Sequence, residues 1–414
     1  MKRIYKFLIR WAVFIFLFSL SLYIYGCQSE PTSSLYQYNQ QYLPNPTVDS
    51  LSPSSALAGI DTITIYGRNF SAVADPNHEI VYFNSSPAQI FSGDANKIKV
   101  KAPALQGDSI AVRVTVNGAL LYSPIFNYKL IAAIAPYGNL VTVTDTNLAV
   151  SLCVGPPPDN ALYSEITSTA DIDRGIVKVT ASGTTTYGTA TTGVKHWNSI
   201  VFGTGGYLYC ARDFRAIYRY APGGGSLQQL PWAASSSSTT HFTYMDFDPN
   251  QNLWVGGNNQ SIYKIMPNAT SKTYPFVGNV QSVRYYNGYL YFVANVATNP
   301  SKVFRAPIVN DSLGTPEVYF DISNDPTGGK NMYAITFSAD GDMYAGTDSS
   351  DYLIVVHPNG VIEKPYSLFV TSGVLKSPCR SFAWIGENLY ATTLDGELLE
   401  IVVRKQGAPY YGIQ

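Results

Sequence analysis

Charged residues are scarce in this 414-residue chain, where Asp, Glu, Lys and Arg together make up 13% of the sequence. The formal net charge is −1, which argues against a strongly basic nucleic-acid binder, so no nucleic-acid partner is expected. Helical periodicity is missing beyond the N-terminal segment, which disfavours a helical protein. Cysteine is rare, with four residues, which leaves little room for a disulfide-rich scaffold.

Aromatic residues, glycine and proline are abundant instead. Aromatics make up 14% of the chain, and there are 32 Tyr, 33 Gly and 25 Pro. Aromatic and β-branched residues favour strands, whereas Gly and Pro mark turns. The composition therefore predicts an all-β protein, and the length allows two or three domains with substantial cores.

The first 26 residues have the charge and hydropathy pattern of a secretion signal. The apolar run 11–25 is about as long as a signal-peptide core and short for a membrane span, and it follows the cations Lys2, Arg3, Lys6 and Arg10. It ends in Ile24-Tyr25-Gly26-Cys27, which resembles a bacterial lipobox. That resemblance implies lipidation of Cys27 and removal of residues 1–26, with an uncleaved N-terminal anchor as the alternative. Either way, we expect an exported protein tethered to a membrane of the bacterial cell envelope, with the outer membrane favoured.

Lipidation of Cys27 would leave a mildly acidic chain with an odd number of thiols. Removing residues 1–26 leaves 23 Lys and Arg against 28 Asp and Glu, a net charge of −5. The remaining Cys153, Cys210 and Cys379 cannot all pair, so a disulfide framework is not expected. Cys210 lies within a strand pattern and is expected to act as a small buried hydrophobic side chain, not as a catalytic group or metal ligand.

Short alternating runs begin at Pro46, after a polar segment (27–45) that we interpret as a flexible tether. TITIYG, IVYFN, KIKVKAP, IAVRVTVNG and PIFNYKL are each bounded by Gly, Pro, Asn or Asp, the pattern of an antiparallel sandwich. With Ser52-Pro53 before the first run and Gly67-Arg68-Asn69-Phe70 at its end, residues 46–129 resemble an IPT/TIG immunoglobulin-like domain. The resemblance implies a spacer or a binding module and no particular activity.

A unit of 37 to 53 residues recurs over residues 130–405. Each unit contains an apolar–aromatic pair, then a polar turn and a β-rich run such as IYRY (217–220). The pairs are Leu162-Tyr163, Leu208-Tyr209, Leu253-Trp254, Leu290-Tyr291, Met343-Tyr344 and Leu389-Tyr390. This period, with about four strands per unit, is typical of a β-propeller, because a lone four-stranded sheet cannot bury both of its faces. We therefore predict a six-bladed propeller, followed by a tail (406–414) that packs on the ring or frays.

The two residues of each pair point to opposite faces of a strand, so each should pack against a neighbouring blade. We expect the ring to close by pairing a strand within 138–145 with the last blade near 398–404. The segment LIVVHPNG (353–360), following Tyr344-Ala345, has the strand–turn–strand form of NHL repeats. The units most resemble NHL-repeat and gluconolactonase-like six-bladed propellers.

Candidate ligand contacts lie in the segments that enter the innermost strands, because such loops line one mouth of a propeller channel. Five of these segments align along the chain, and together they are polar and mildly basic. The candidates are His196, Trp197, Asn198, His241, Thr243, Gln281, Asn331, Tyr333 and Arg380. Arg380 is the foremost of them, because an arginine entering an inner strand needs an anionic or carbonyl partner.

Three functions are compatible with such a mouth. We favour a non-catalytic binding module, raised from the membrane by the IPT/TIG domain, that captures a polysaccharide, peptide or envelope protein without metal or cofactor. A metal-dependent hydrolase, which the gluconolactonase resemblance implies, needs carboxylate ligands. The five segments contain no Asp or Glu, so these ligands would have to come from Asp145 or Glu165 of the first blade. A structural scaffold of an envelope complex is the third. Whether the protein is an enzyme stays open at this point.

Overall fold

A computed structural model describes residues 11–17 and 41–414, except 74, 76, 141–147, 192–194, 259 and 297–299. Residues 11–17 are helical. The lipidation site predicted at Cys27, and most of the signal segment and tether around it, lie outside the described residues. Within the described ranges, no helix is both long and apolar enough to cross a membrane.

Two sheets form a sandwich between Thr47 and Ile131. One sheet has the strand order β1-β3-β7-β6, and the other has the order β2-β9-β8-β4-β5. All pairs are antiparallel except β2 with β9. The strands are β1 (Thr47–Ser52), β2 (Ser55–Leu57), β3 (Thr62–Arg68), β4 (Glu79–Phe83), β5 (Ser86–Pro87), β6 (Ile90–Asp94), β7 (Lys97–Lys101), β8 (Gly107–Val116) and β9 (Phe126–Ile131). Burial alternates along β7 and β8, as the sequence pattern requires, and the inward side chains form one core cluster.

Six further sheets form the blades of a propeller. Blade 1 comprises β11 (Leu148–Val154), β12 (Leu162–Thr167), β13 (Asp173–Thr180) and β14 (Gly183–Thr189). Blade 2 comprises β15 (Ser199–Phe202), β16 (Leu208–Ala211), β17 (Ala216–Tyr220) and β18 (Ala233–Ala234). Blade 3 comprises β19 (Tyr244–Phe247), β20 (Leu253–Gly256), β21 (Ser261–Ile265) and β22 (Ser271–Pro275). Blade 4 comprises β23 (Asn279–Tyr286), β24 (Tyr289–Asn295), β25 (Lys302–Val309) and β27 (Glu317–Asp321), with the two-residue β26 (Ser312–Leu313) beside β25. Blade 5 comprises β28 (Met332–Phe337), β29 (Met343–Thr347), β30 (Leu353–Val356) and β31 (Ile362–Glu363). The first strands of consecutive blades contact one another and surround a central channel.

Blade 6 contains a strand from the other end of the domain. Its strands are β32 (Cys379–Ile385), β33 (Asn388–Thr393), β34 (Leu398–Val402) and, at the outer edge, β10 (Ile134–Pro136). The prediction that residues 138–145 close the ring was wrong: residues 138–140 are not in a strand, and 141–145 lie outside the described residues. Instead, Ile134 pairs with Ile401, and Pro136 pairs with Leu399. Proline lacks a backbone N–H and is therefore tolerated at a sheet edge.

The apolar–aromatic pairs divide between neighbouring interfaces, as predicted. In blade 3, Leu253 packs in a cluster with Tyr209 of blade 2, whereas Trp254 packs in the next cluster with Leu290 of blade 4. The other five pairs are split between consecutive clusters in the same way. The pairs are therefore structural, because each one joins its blade to both neighbours.

The three cysteines of the propeller are free and buried. Burial is the main cause that raises the pKa of the Cys153, Cys210 and Cys379 thiols. They remain protonated thiols at neutral pH and act as small apolar side chains, which confirms the interpretation of Cys210.

The last nine residues cover one end of the channel. Ala408 N–H donates to the carbonyl of Phe337, the last residue of β28, at 2.9 Å. Gly412 lies so close to the ends of β15 and β19 that a Cβ there would stand 2.0 Å from the carbonyl oxygen of Phe202. Of the two outcomes considered for the tail, packing on the ring is the one observed.

A buried ion pair holds this tail in place. The Nη1 atom of Arg284 in β23 lies 2.7 Å from Oδ2 of Asp246 in β19, and the two side chains are 4% and 7% exposed. The Nη2 atom of Arg284 donates to the carbonyls of Ala408 at 3.0 Å and Pro409 at 2.9 Å. Its guanidinium also lies 4.1 Å from the ring centroid of Tyr410. One arginine therefore links two inner strands to the tail.

Candidate functional site

The open mouth of the channel lies where the inner strands begin, opposite the tail. Asn198, Tyr333 and Arg380 come together there, with Tyr244 beside them. The cavity inside the channel measures about 90 Å³. Asn198 also lines a groove of about 430 Å³, together with His196, so the two spaces are neighbours that share one lining residue.

Two turns of neighbouring blades form the walls of this groove. The turn between β12 and β13 contributes Asp171, and the turn between β16 and β17 contributes Arg212, Asp213 and Phe214. Lys195, from the segment that enters blade 2, completes the lining. In the sequence, residues 212–215 are the polar turn before the IYRY run, and the entry-segment pattern did not point to their side chains. The signal that could have identified them is the exposed aromatic Phe214 within that polar turn.

Each of the two candidate histidines is bound by an aspartate from the preceding blade. His196 Nδ1 contacts the carboxylate of Asp171, and its Nε2 lies 3.1 Å from the amide nitrogen of Asn198. His241 Nδ1 lies 2.7 Å from Oδ1 of Asp213. Asp213 thus reaches from its own turn in blade 2 to the segment that enters blade 3. These pairs fix the orientation of the imidazole rings at the blade boundaries.

The remaining candidates are distributed unevenly. Trp197 is 1% exposed, and Thr243 is also buried, so both lie beneath the surface of the site. Asn331 is held by Asp348, to which its side-chain amide donates at 2.6 Å. Gln281 is half-buried at the start of β23. His241, Gln281 and Asn331 line neither the channel cavity nor the groove.

Electrostatics differ sharply among the groups at the mouth. Burial lowers the pKa of His196, and the hydrogen bond that the imidazole donates to Asp171 only partly offsets that effect, so the imidazole is neutral at neutral pH. Burial likewise lowers the pKa of Arg380, with Tyr244 and Asp171 opposing it. Arginine nevertheless keeps its charge in proteins. The mouth therefore presents a neutral histidine beside a poorly solvated cation.

Two buried carboxyl groups lie beneath the groove. Glu165 in β12 is 0% exposed, and its Oε1 accepts a long hydrogen bond of 3.4 Å from the backbone N–H of Trp197. Asp173 in β13 accepts from the N–H groups of Thr191 at 2.7 Å and Gly175 at 2.6 Å. Burial, followed by the nearby charge of Asp173, raises the pKa of Glu165 well above its ordinary value. Burial also raises the pKa of Asp173.

Glu165→Gln should therefore change how stability depends on pH. In the unfolded chain Glu165 ionises above about pH 4.3, whereas in the folded protein it stays protonated, so the wild type loses stability as pH rises toward the folded pKa. Glutamine cannot ionise and removes that loss. We expect the melting temperature of the variant, relative to wild type, to increase from pH 5 to pH 8. Glu317→Gln, at an exposed carboxylate of blade 4, is the control. Parallel pH profiles of wild type and Glu165→Gln would show that Glu165 is ionised in the folded state.

No group of three or more His, Cys, Asp or Glu side chains stands in metal-binding positions in the part of the chain that the structure describes. Of the two carboxylates raised as ligands from the first blade, Glu165 lies inside the blade against Trp197 and Asp173, and Asp145 is outside the described residues.

Comparisons with known proteins match the two parts of the fold. An IPT/TIG domain model matches residues 46–129. No curated protein sequence matches the chain. Among solved structures, the chain is similar to a candidate phosphatase from Bacteroides thetaiotaomicron VPI-5482, at 13% identity and a TM-score of 0.52, covering 88% of this chain and 98% of that one. It is also similar to an auxiliary nutrient binding protein from the same organism, at 11% identity and a TM-score of 0.49, covering 86% of this chain and 97% of that one. A third similar structure is a Xanthomonas campestris gluconolactonase, at 11% identity and a TM-score of 0.49, covering 66% of this chain and 89% of that one.

The fold predictions are confirmed. The protein is all-β, with an immunoglobulin-like IPT/TIG domain followed by a six-bladed β-propeller. Its candidate site is the open channel mouth of the propeller together with the groove between blades 1 and 2. At such low sequence identities, structural similarity bears on the fold alone.

Proposed function

We propose that this protein binds an oligosaccharide, without catalysis, at the channel mouth and the adjoining groove. The observation that carries the proposal is the makeup of the groove, where the 40% exposed ring of Phe214 stands among Asn198, His196 and the two aspartates. An exposed, rigid aromatic ring can stack on the apolar face of a sugar. Amide, imidazole and carboxylate groups around it can bond the sugar hydroxyls.

The sizes of the two cavities favour the groove as the main contact surface. Sites for small ligands typically enclose about 300–1,000 Å³. The groove, at about 430 Å³, falls within that range, whereas the channel interior, at about 90 Å³, is much smaller. The tail closes the other end of the channel, so a ligand would approach from the mouth. The channel would then accept one substituent while the groove holds the sugar rings.

The same proposal accounts for the chain before the propeller. A lipid on Cys27 would anchor the protein to the bacterial envelope, and the IPT/TIG domain would raise the propeller from the membrane. The ligand would then be a polysaccharide or its fragments outside the cell membrane. An envelope protein as the partner, with the propeller as its scaffold, is the alternative that the experiment must separate.

Phe214→Ala should weaken oligosaccharide binding by about 10- to 100-fold, because burying a phenyl ring contributes about 1.5–3 kcal/mol. The measurement is affinity electrophoresis through soluble polysaccharides, followed by calorimetric titration with the oligosaccharide that retards the protein. Phe91→Ala is a matched control, since Phe91 is 51% exposed on the IPT/TIG domain. If a polysaccharide retarded Phe214→Ala as strongly as Phe91→Ala, the glycan site would lie elsewhere. If no polysaccharide retarded the wild-type protein and an envelope protein co-purified with it, the scaffold function would be favoured.

A further inference from the structure

Two arginines at the site have no hydrogen-bond acceptor among the residues that the structure describes. The structure describes five arginines that are not exposed: Arg212, Arg219, Arg284, Arg305 and Arg380. Three of them donate to an acceptor: Arg284 to Asp246, Arg305 to Glu317, and Arg219 to Gln228. Neither Arg212 nor Arg380 makes a hydrogen bond or ion pair with any described side chain or backbone group. Arg212 lines the groove and Arg380 lines the channel cavity, and Asn198 lines both.

The surroundings of Arg212 leave its N–H groups available. Its Cζ atom lies 5.3 Å from the ring centroids of both Trp197 and Phe214, so the guanidinium lies close to two aromatic rings. Cation–π contact holds the plane of the group but satisfies none of its five N–H donors. Burial is the main cause that lowers the pKa of the half-buried Arg212. A ligand that displaces water from this guanidinium must therefore supply acceptors for its N–H groups.

The carboxylates of the groove do not accept hydrogen bonds from either guanidinium group. Asp171 and Asp213 each contact a histidine Nδ1, and neither forms an ion pair with Arg212 or Arg380. The protein thus places two unpaired guanidinium groups beside neutral or already paired acceptors. Arginine presents a planar fork of donors that fits a carboxylate through two parallel hydrogen bonds.

We infer that the preferred ligand is an acidic glycan, a uronate-containing oligosaccharide whose carboxylate is bound by Arg380 or Arg212 while a sugar ring stacks on Phe214. This inference rests on the proposed function and names the class of its ligand. The exposed ring and the groove favour a sugar over an acidic peptide. Two arginines separated by Asn198 would suit two carboxylates on neighbouring or alternate residues of the glycan.

The test compares acidic glycans with neutral glycans of the same stereochemistry. Oligosaccharides of galacturonate and of alginate are titrated into residues 28–414 by calorimetry, each beside its carboxyl-reduced form. We expect the uronate form of at least one pair to bind at least about tenfold more tightly, because hydrogen bonds to charged groups are the stronger ones. That advantage should fall as salt is raised.

Arg380→Gln and Arg212→Gln should each remove most of the difference in affinity between the uronate form and the carboxyl-reduced form of the same oligosaccharide. Arg113→Gln, at an exposed arginine of the IPT/TIG domain, should change neither affinity. Equal binding of both forms would overturn this inference and leave the proposed function standing. Binding of neither form of any pair would overturn both. Selective binding of aspartate-rich peptides instead of uronates would overturn the assignment to a glycan.

Discussion

Arg284→Met is expected to lower the free energy of unfolding by about 3–5 kcal/mol, the usual effect of removing one partner from a buried ion pair. Asp246 would be left buried, with only the backbone N–H groups of Tyr285 and Phe247 as donors. The carbonyls of Ala408 and Pro409 would lose their donor at the same time. Denaturant unfolding gives the loss of stability, and hydrogen exchange over residues 406–412 reports release of the tail.

The control for this prediction is an arginine in an exposed pair. Arg68 and Asp49 lie 3.4 Å apart on the IPT/TIG domain, with side chains 69% and 50% exposed. Exposed pairs contribute about 0–1 kcal/mol, so Arg68→Met should change stability little. If the two variants lost similar amounts, or if exchange in the tail were unchanged in Arg284→Met, the ion pair would not be what holds the tail.

Trp254→Ala should destabilise the propeller by about 3–5 kcal/mol, because it leaves a large cavity between blades 3 and 4. The side chain is fully buried, lies 5.7 Å from the ring of Tyr274 and donates from Nε1 to Oδ2 of Asp248 at 2.8 Å. Trp254→Phe keeps most of the volume and should lose less. Unfolding is followed by calorimetry.

Phe91→Ala removes an aromatic side chain from the surface and should stay within about 0.5 kcal/mol of wild type. A loss in Trp254→Ala no larger than that of Phe91→Ala would mean that the pair residues do not carry the contact between blades.

The propeller was predictable from the repeat because the face of a strand that a side chain occupies depends only on neighbouring positions in the sequence. A pair such as Leu253-Trp254 must present its two side chains to opposite faces of a strand, and both faces are buried only when sheets stack as blades. The IPT/TIG runs were predictable for the same reason, since alternation fixes which side chains of β7 and β8 point inward.

The closing strand was not predictable from pattern alone. Residues 138–145 alternate between apolar and polar side chains as a strand does, whereas Ile134–Pro136 is short and contains a proline. What selects β10 is its position directly after β9, which brings it to the free edge of β34. Such selection depends on long-range geometry, which a local pattern does not contain.

The candidate site was predicted in part. Of the residues proposed from the entry segments, the structure brings Asn198, Tyr333 and Arg380 together at the mouth. Arg212 and Phe214 were missed because they belong to the turn after β16 and not to an entry segment, although the pairing of Ser199 with Ala211 places that turn beside the entry to β15. The contact of Arg284 with Ala408 joins residues 124 positions apart in the chain, which no spacing rule would suggest.

The closing strand also has a mechanical consequence. β10 begins three residues after β9 ends, so the chain passes almost directly from the sandwich into the outer edge of blade 6. A pull on the IPT/TIG domain, of the kind that a membrane tether would transmit, would pass along the backbone to the three residue pairs between β10 and β34. The β10–β34 pairing that closes the ring is thus also the place where force on the IPT/TIG domain reaches the propeller.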